Sequence, residues 1–134
     1  MSIDANKAAL RRAANNWSLD TLELHLQFYH PDAKIHYLPP GLPQGREGAR
    51  LFYQAVFAAF PDARLSIDDL VSEEDKIACR FTIVGTHRGE FMGVSPTGRR
   101  LTFSVISIFH FAGGQCVERW AETNLLQQLT SQPQ

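Results

Sequence analysis

The chain has 134 residues, of which 44% are hydrophobic and 20% charged, and its formal net charge is -1 at pH 7. A chain of this length forms one core, and the composition excludes intrinsic disorder and the basic surface that nucleic-acid binding requires. No stretch approaches the roughly 18 apolar residues needed to cross a bilayer. We therefore predict one cytoplasmic domain over residues 1–134, with reduced, buried cysteines at Cys79 and Cys116.

The first part of the chain carries a helical pattern. Asp4 can cap a first helix over about residues 4–16, because its apolar residues recur on one face of a 3.6-residue period. Ser18 can cap a second helix, whose apolar stripe reaches Tyr29 and ends at Pro31. These two helices are expected to form a hairpin.

A strand and a third helix follow. Residues 33–38 predict a short strand, and the Pro-Pro-Gly sequence after it cannot continue a ladder. The apolar side chains of residues 46–60 share one helical face, and the proline after Phe60 ends that helix.

From Arg64 onward the apolar residues alternate with a period of two, which predicts strands. They lie at about 64–72, 76–87, 99–111 and 115–124. Three helices followed by a meander predict an α+β domain in which the helices pack on one curved mixed or antiparallel sheet. The helices cannot fill the whole concave face, so a pocket for a small organic molecule is expected.

The segment that follows the second predicted strand carries a recognisable motif. Residues 85–98 read GTHRGEFMGVSPTG, with a GTH step, a GxFxG step and a PTG step. This closely resembles the signature of the SnoaL-like polyketide cyclases. Three further pieces match in order: Gly45-x-Glu47-Gly48, Ala59-Phe60-Pro61-Asp62, and Glu118-x-Trp120 leading to Leu125-Leu126-Gln127-Gln128-Leu129. The resemblance covers about residues 18–129, leaves a short polar tail at 130–134, and implies the cone-shaped nuclear transport factor 2-like fold.

The resemblance also implies an activity. Family members close a ring in polyketide methyl esters by intramolecular aldol chemistry, without metal or cofactor, using an aspartate of the last strand as acid and base. That position matches Asn124, whose amide cannot shuttle a proton near neutral pH. Two functions follow: a cyclase or isomerase acting on a small hydrophobic carbonyl or ester, or a non-catalytic small-molecule-binding module. An epoxide hydrolase of the limonene type is disfavoured, because Arg80 has no carboxylate at Thr82 or Asn124.

The last strand supplies candidate site residues. Its period of two places Glu118, Trp120, Glu122 and Asn124 on one side. If Asn124 faces the pocket, either glutamate could serve as the base that aldol chemistry needs. The alternative is that Glu118 pairs with an arginine, Arg80 or Arg119, and that Glu122 is solvated.

His87, at the end of its strand, is predicted either to act in the site or to tie down the loop 88–98. The predicted catalytic residues are thus His87, Asn124 and Glu118. The predicted substrate-binding residues are His36, Trp120, Phe60, Phe91, Met92 and Glu122. Trp120 could serve as a wall of the core or of the ligand site, and the loop could close over the pocket as an apolar lid.

Metal and partner expectations complete the prediction. The spacing of three histidines, His25, His30 and His36, does not bring their side chains together on a metal. The resemblance implies no cofactor. The outer sheet face, carrying Phe103 and Phe109 or their alternates, would expose an apolar patch on a monomer. We therefore predict a homodimer with a small hydrophobic ligand, and neither nucleic acid nor membrane as a partner.

Overall fold

The computed structural model describes residues 3–131. In chain order the elements are α1 (Ile3–Asn15), α2 (Leu22–Leu26), β1 (Tyr29–Ile35), α3 (Gly45–Ala59), β2 (Arg64–Glu73), β3 (Lys76–Thr86), β4 (Arg100–Ala112), β5 (Gln115–Thr123) and α4 (Leu125–Thr130). The predicted α+β class is confirmed: the N-terminal helices α1, α2 and α3 accompany a single five-stranded sheet, whose strand β1 lies between α2 and α3 in the chain. Of the predicted polar tail, Thr130 closes α4, and residues 132–134 lie outside the described residues.

The second predicted helix is shorter than expected. Its α-helical part covers only Leu22–Leu26, and the chain is already in a strand from Tyr29. The prediction was wrong here because Tyr29 continues the apolar spacing of the helix yet pairs with Cys116 of β5. Pro31 does not end a helix but lies within β1, where its missing N–H is tolerated because β1 is at the edge of the sheet.

The sheet has the strand order β1-β5-β4-β3-β2, with β1 parallel to β5 and all other pairs antiparallel. The free edge of β1 is covered by Gln44, which precedes α3. Its side-chain amide accepts a hydrogen bond from the backbone N–H of Ile35 (2.8 Å) and donates one to the carbonyl of Ile35 (3.2 Å). This pairing satisfies edge groups that would otherwise invite another strand.

Two glycines allow close packing at the start of α3, Gly45 against β1 and Gly48 against the loop that precedes the helix. A Cβ on Gly45, whose φ is +83°, would lie 2.2 Å from the carbonyl oxygen of Pro31. A Cβ on Gly48 would lie 1.9 Å from the carbonyl oxygen of Pro43. The Gly45-x-Glu47-Gly48 motif is therefore a packing requirement at the start of α3.

A β-bulge in β5 sets which side chains face the helices. His110 of β4 pairs with Glu118, but Phe111 pairs with Cys116, so Val117 is an extra residue. The bulge reverses the alternation, and both Cys116 before it and Arg119 after it lie on the concave side.

The core lies between α1, α3 and the concave face of the sheet, where Leu10, Phe57, Phe81 and Phe109 are all buried. Both cysteines are buried and reduced, as predicted. Within residues 3–131, no helix is both long and apolar enough to span a membrane.

Candidate functional site

A cavity of about 220 Å³ lies between the helices and the concave face of the sheet. Its wall is mostly apolar, with contributions from Trp17 just after α1, Val56 on α3, and Phe81 and Phe103 on the sheet. Among residues 3–131, no aspartate or glutamate contributes to this wall. The polar groups of the wall are therefore few, and they determine what the cavity can bind.

Arg119 is the charged group of this cavity. Its Nη1 donates hydrogen bonds to the hydroxyls of Tyr29 (2.6 Å) and Tyr53 (3.1 Å). Its Nε and Nη2 donate to the hydroxyl of Ser107, at 3.2 and 2.9 Å. A guanidinium has five N–H groups, so one N–H on Nη2 remains for a further acceptor.

Neutral residues surround the guanidinium. Its Cζ lies 4.7 Å from the ring centre of Phe109 and 4.8 Å from that of Tyr37. Within residues 3–131, no carboxylate forms an ion pair with Arg119. The positive charge in this cavity therefore has no anion to balance it.

Three tyrosines form a hydrogen-bonded triangle beside Arg119. The hydroxyl oxygens lie 2.6 Å apart for Tyr37 and Tyr53, 3.0 Å for Tyr29 and Tyr53, and 3.4 Å for Tyr29 and Tyr37. Burial raises the pKa of Tyr29 and Tyr37 well above the ordinary value, so both phenols are neutral. The triangle offers hydroxyl donors rather than a phenolate base.

The charge of Arg119 persists in this setting. Burial opposes a charged guanidinium, yet the oxygens of Tyr29, Tyr37 and Tyr53 hold the pKa of Arg119 well above its ordinary value. The cavity thus combines apolar walls, one permanent cation and neutral hydroxyl donors. Such a set can hold a carbonyl oxygen and stabilise negative charge that develops on it.

Two predicted binding residues and one predicted catalytic residue meet on the opposite face of the sheet. The ring of His36 stacks on that of Trp120, with centres 5.1 Å apart and planes 13° apart. His36 Nε2 lies 2.7 Å from a carboxylate oxygen of Glu118. Glu118 therefore pairs with His36, rather than with Arg80 or Arg119. This exposed cluster lies outside the cavity, because the bulge at Val117 turns the even-numbered residues that follow it in β5 outward.

Glu122 and Asn124 also lie away from the cavity. Glu122 is exposed and pairs with Ile106 of β4 on the outer face. Asn124 precedes α4, and its side-chain Oδ1 accepts a hydrogen bond of 2.9 Å from the backbone N–H of Ser104. The side-chain amide of Asn124 is thus engaged with the backbone of β4.

His87 lies in the core beneath the loop 88–98. It is fully buried and stacks on Phe60, with ring centres 5.3 Å apart. Its Nδ1 accepts a hydrogen bond of 3.3 Å from the backbone N–H of Thr97. Of the two predicted roles for His87, this geometry supports the one that ties down the loop.

The remaining predicted binding residues divide between core and cavity. Phe60 and Phe91 are buried and pack together, with ring centres 5.8 Å apart, and neither contributes to the cavity wall. Met92, at φ +50° in the same loop, is exposed and does line the cavity. Of the predicted site residues, Met92 is the one that this wall includes.

Four residues that line the cavity were not predicted as site residues: Arg119, Tyr29, Tyr53 and His25. Both tyrosines continue the apolar spacing of a predicted helix, and this pattern is typical of core residues. Arg119 was considered only as an ion-pair partner. The sequence signal for these residues was a set of side chains that end in polar groups, at positions where the pattern otherwise places apolar side chains.

Comparison with known proteins supports the family assignment. The family described as SnoaL-like polyketide cyclase matches residues 7–131. A curated relative, the aklanonic acid methyl ester cyclase AcmA of Streptomyces galilaeus, is 28% identical over 116 residues, covering 81% of this chain and 76% of its own length.

Solved structures agree with the fold. AclR from Streptomyces galilaeus is 31% identical with a TM-score of 0.81, covering 99% of this chain and 89% of its own. IdmH from Streptomyces antibioticus is 31% identical with a TM-score of 0.79, covering 92% of this chain and 95% of its own. TsrD from Streptomyces laurentii is 27% identical with a TM-score of 0.85, covering 97% and 98%. This chain belongs to the SnoaL-like polyketide cyclase family.

Proposed function

We propose that this protein is a cyclase or isomerase that performs cofactor-independent acid/base chemistry at carbon on a small hydrophobic carbonyl or ester substrate. The substrate occupies the cavity between the helices and the sheet. The observation that carries the proposal is the permanently charged Arg119, which lies in an apolar wall and has no carboxylate partner among residues 3–131.

The chemistry follows from this charge distribution. In an intramolecular aldol reaction a base removes a proton from a carbon next to a carbonyl, and the electron pair moves onto the carbonyl oxygen. A guanidinium N–H and phenol hydroxyls that are already in place stabilise that enolate in a site of low dielectric constant. The enolate carbon then attacks a second carbonyl of the same molecule. A new carbon–carbon bond forms, and the resulting alkoxide takes up the proton.

Aklanonic acid methyl ester, named in the curated relative, is the first substrate to test. Ring closure by aldol addition is an isomerisation, so chromatography with mass detection should find a product of unchanged mass. In Arg119→Met the rate should fall by about 100- to 1000-fold, the effect of removing one oxyanion donor. Arg80→Met is the matched control, because Arg80 is paired with Asp69 on the surface. Equal rates for both variants would contradict the role of Arg119.

A non-catalytic ligand-binding module is the second candidate. It is favoured by Asn124, which takes the place of the family's aspartate and is hydrogen-bonded to the backbone of Ser104. This function predicts ligand binding without turnover in the natural chain. An active natural chain would exclude the binding-only function.

A further inference from the structure

His25 lines the cavity from α2, and one of its ring nitrogens is fixed by the fold. Its Nδ1 lies 2.7 Å from the backbone carbonyl oxygen of Ala13 on α1. A carbonyl oxygen can only accept, so Nδ1 carries the proton and donates it. The neutral ring must then present Nε2 as an unprotonated nitrogen with a free lone pair.

The second ring nitrogen has no partner. His25 is only 6% exposed, and its Nε2 is buried and lacks a hydrogen-bond partner among residues 3–131. A buried acceptor without a partner costs free energy, so a fold that retains one has a reason to do so. The ring orientation is also fixed, because its edge packs on Tyr53 and Tyr29, with centres 5.3 and 6.2 Å away.

The other ionisable groups of the cavity wall cannot act as a base. Tyr29 and Tyr37 are held neutral by burial, and Arg119 is a permanent cation. Tyr53 shares its hydroxyl with the other two tyrosines and with Arg119. His25 is the remaining group of the described wall with a lone pair that is free at neutral pH.

We propose that Nε2 of His25 is the general base of this cavity, which takes a proton from a carbon acid whose carbonyl oxygen is held at Arg119. This inference rests on the proposed function and assigns the step that Asn124 cannot perform. Nε2 gains the proton while the carbonyl becomes an enolate beside the guanidinium. After carbon–carbon bond formation, the proton passes from Nε2 to the new alkoxide, which regenerates neutral His25.

The surroundings of His25 determine how its activity depends on pH. It faces the carbonyl of Ala13 on α1, the hydroxyl-bearing rings of Tyr53 on α3 and Tyr29 on β1, and the charge of Arg119 on β5. Burial lowers the pKa of His25 to about 4, and Arg119 adds to this effect, while the bond to Ala13 opposes it. The base is therefore unprotonated throughout the neutral range, and its activity should be lost only as the pH falls towards 4.

The proposal can be tested without the natural substrate by using 5-nitrobenzisoxazole. Removal of its ring C–H proton by a base breaks the nitrogen–oxygen bond and releases the coloured 2-cyano-4-nitrophenolate. The proton acquired by Nε2 then passes to water. Binding of the probe in the cavity is measured by the quenching of Trp17 fluorescence, since Trp17 lines the cavity. The measurement uses a Trp120→Phe variant, so that Trp17 is the fluorophore observed.

We expect the natural chain to accelerate this elimination and His25→Gln to lose about 100-fold or more, the usual contribution of a general base. The matched control is His110→Gln, since His110 is bonded to Asp75 at the surface and should leave the rate unchanged. A bound probe that is not turned over, or equal rates in the natural chain and His25→Gln, would overturn the assignment. Turnover of the probe by His25 together with inertness towards polyketide esters would instead refute the proposed substrate class.

If the His25→Gln variant does not fold, a second measurement on the natural chain tests the proposal. Long-range nitrogen–proton correlation spectra of the natural chain should show His25 as the Nδ1–H tautomer at pH 7. Addition of 4-nitrophenol, a hydroxyl donor, should shift the Nε2 resonance. The Nε2–H tautomer, or an unchanged Nε2 resonance with the phenol bound, would contradict the proposal.

Discussion

Arg119 Nη1 donates a 2.6 Å hydrogen bond to the hydroxyl of Tyr29, and this contact joins the two strands that pair in parallel. Arg46 holds Tyr29 from the other side, because its guanidinium donates two bonds, of 3.1 and 2.6 Å, to the backbone carbonyl of Tyr29. Tyr29 is thereby held both at its backbone and at its hydroxyl. A cation fixed by neutral oxygens keeps its charge available for a ligand, which a carboxylate partner would neutralise.

Tyr29→Phe tests the energetic role of this contact. The substitution removes the acceptor and leaves an Nη1–H of Arg119 without its partner, which should lower the free energy of unfolding by about 1–3 kcal/mol. Urea denaturation followed by circular dichroism measures the change. Tyr37→Phe is the matched control, because the hydroxyl of Tyr37 bonds only to the other tyrosines and not to Arg119. Equal losses in both variants would show that the contact with Arg119 contributes nothing specific.

The sequence predicted the fold well because periodicity reports burial directly. The strands β2 to β5 lie within one or two residues of their expected bounds, since their apolar alternation matches their exposure to the core. The site was predicted poorly because it depends on register. One extra residue at Val117 moves Arg119 inward and Glu118 outward, and no residue type in β5 signals that bulge.

The histidines illustrate the same limit. His25 and His87 are both buried, and in each one ring nitrogen is hydrogen-bonded while the other has no partner in the part of the chain that the structure describes. Only the tertiary structure separates them: His25 lies in the cavity wall, whereas His87 is stacked on Phe60 beneath a loop. The family motif includes His87 and therefore predicts it as a site residue. His25 lies in an apolar helical stripe outside any motif.

The stability of the fold should depend on pH through His25. Its folded pKa of about 4 lies below the ordinary 6.5, so between these values the unfolded chain binds a proton that the folded chain does not. Stability therefore rises with pH over this window and is lost as the pH falls from 6.5 to 4, by about 3 kcal/mol. His25→Gln removes this contribution. Denaturation at pH 7 and pH 4 should show a smaller difference for the variant than for the natural chain.

The start of α3 offers a test of close packing with two glycines of similar backbone conformation. Gly45 and Gly98 have φ values of +83° and +72°, but a Cβ on Gly98 meets nothing within 4 Å, whereas one on Gly45 would lie 2.2 Å from Pro31 O. Gly98→Ala should cost only the backbone strain, about 1–2 kcal/mol. Gly45→Ala should cost more, because α3 must also move away from β1. Thermal melts of both variants measure the difference, and equal losses would show that the approach at Pro31 relaxes freely.

The outer face of the sheet carries the remaining prediction, which is a homodimer. Phe103 and Phe109 point into the core, and it is the alternate residues of β4 that are exposed: Ile106 at 54% and Ile108 at 45%. Ile108 pairs with Trp120, which is 40% exposed, so the apolar surface continues from β4 onto β5. A patch of this kind on a small domain is more stable when a second copy covers it.

Ile108→Glu should convert the homodimer to a monomer, because burying a carboxylate against a second copy removes it from water at a large cost in free energy. Light scattering at micromolar concentration measures the mass of each form. Val71→Glu is the matched control: Val71 is 67% exposed on β2, at the far edge of the sheet, so this variant should remain dimeric. A monomeric mass for the natural chain would refute the dimer, and an Ile108→Glu variant that stays dimeric would place the interface at another part of the surface.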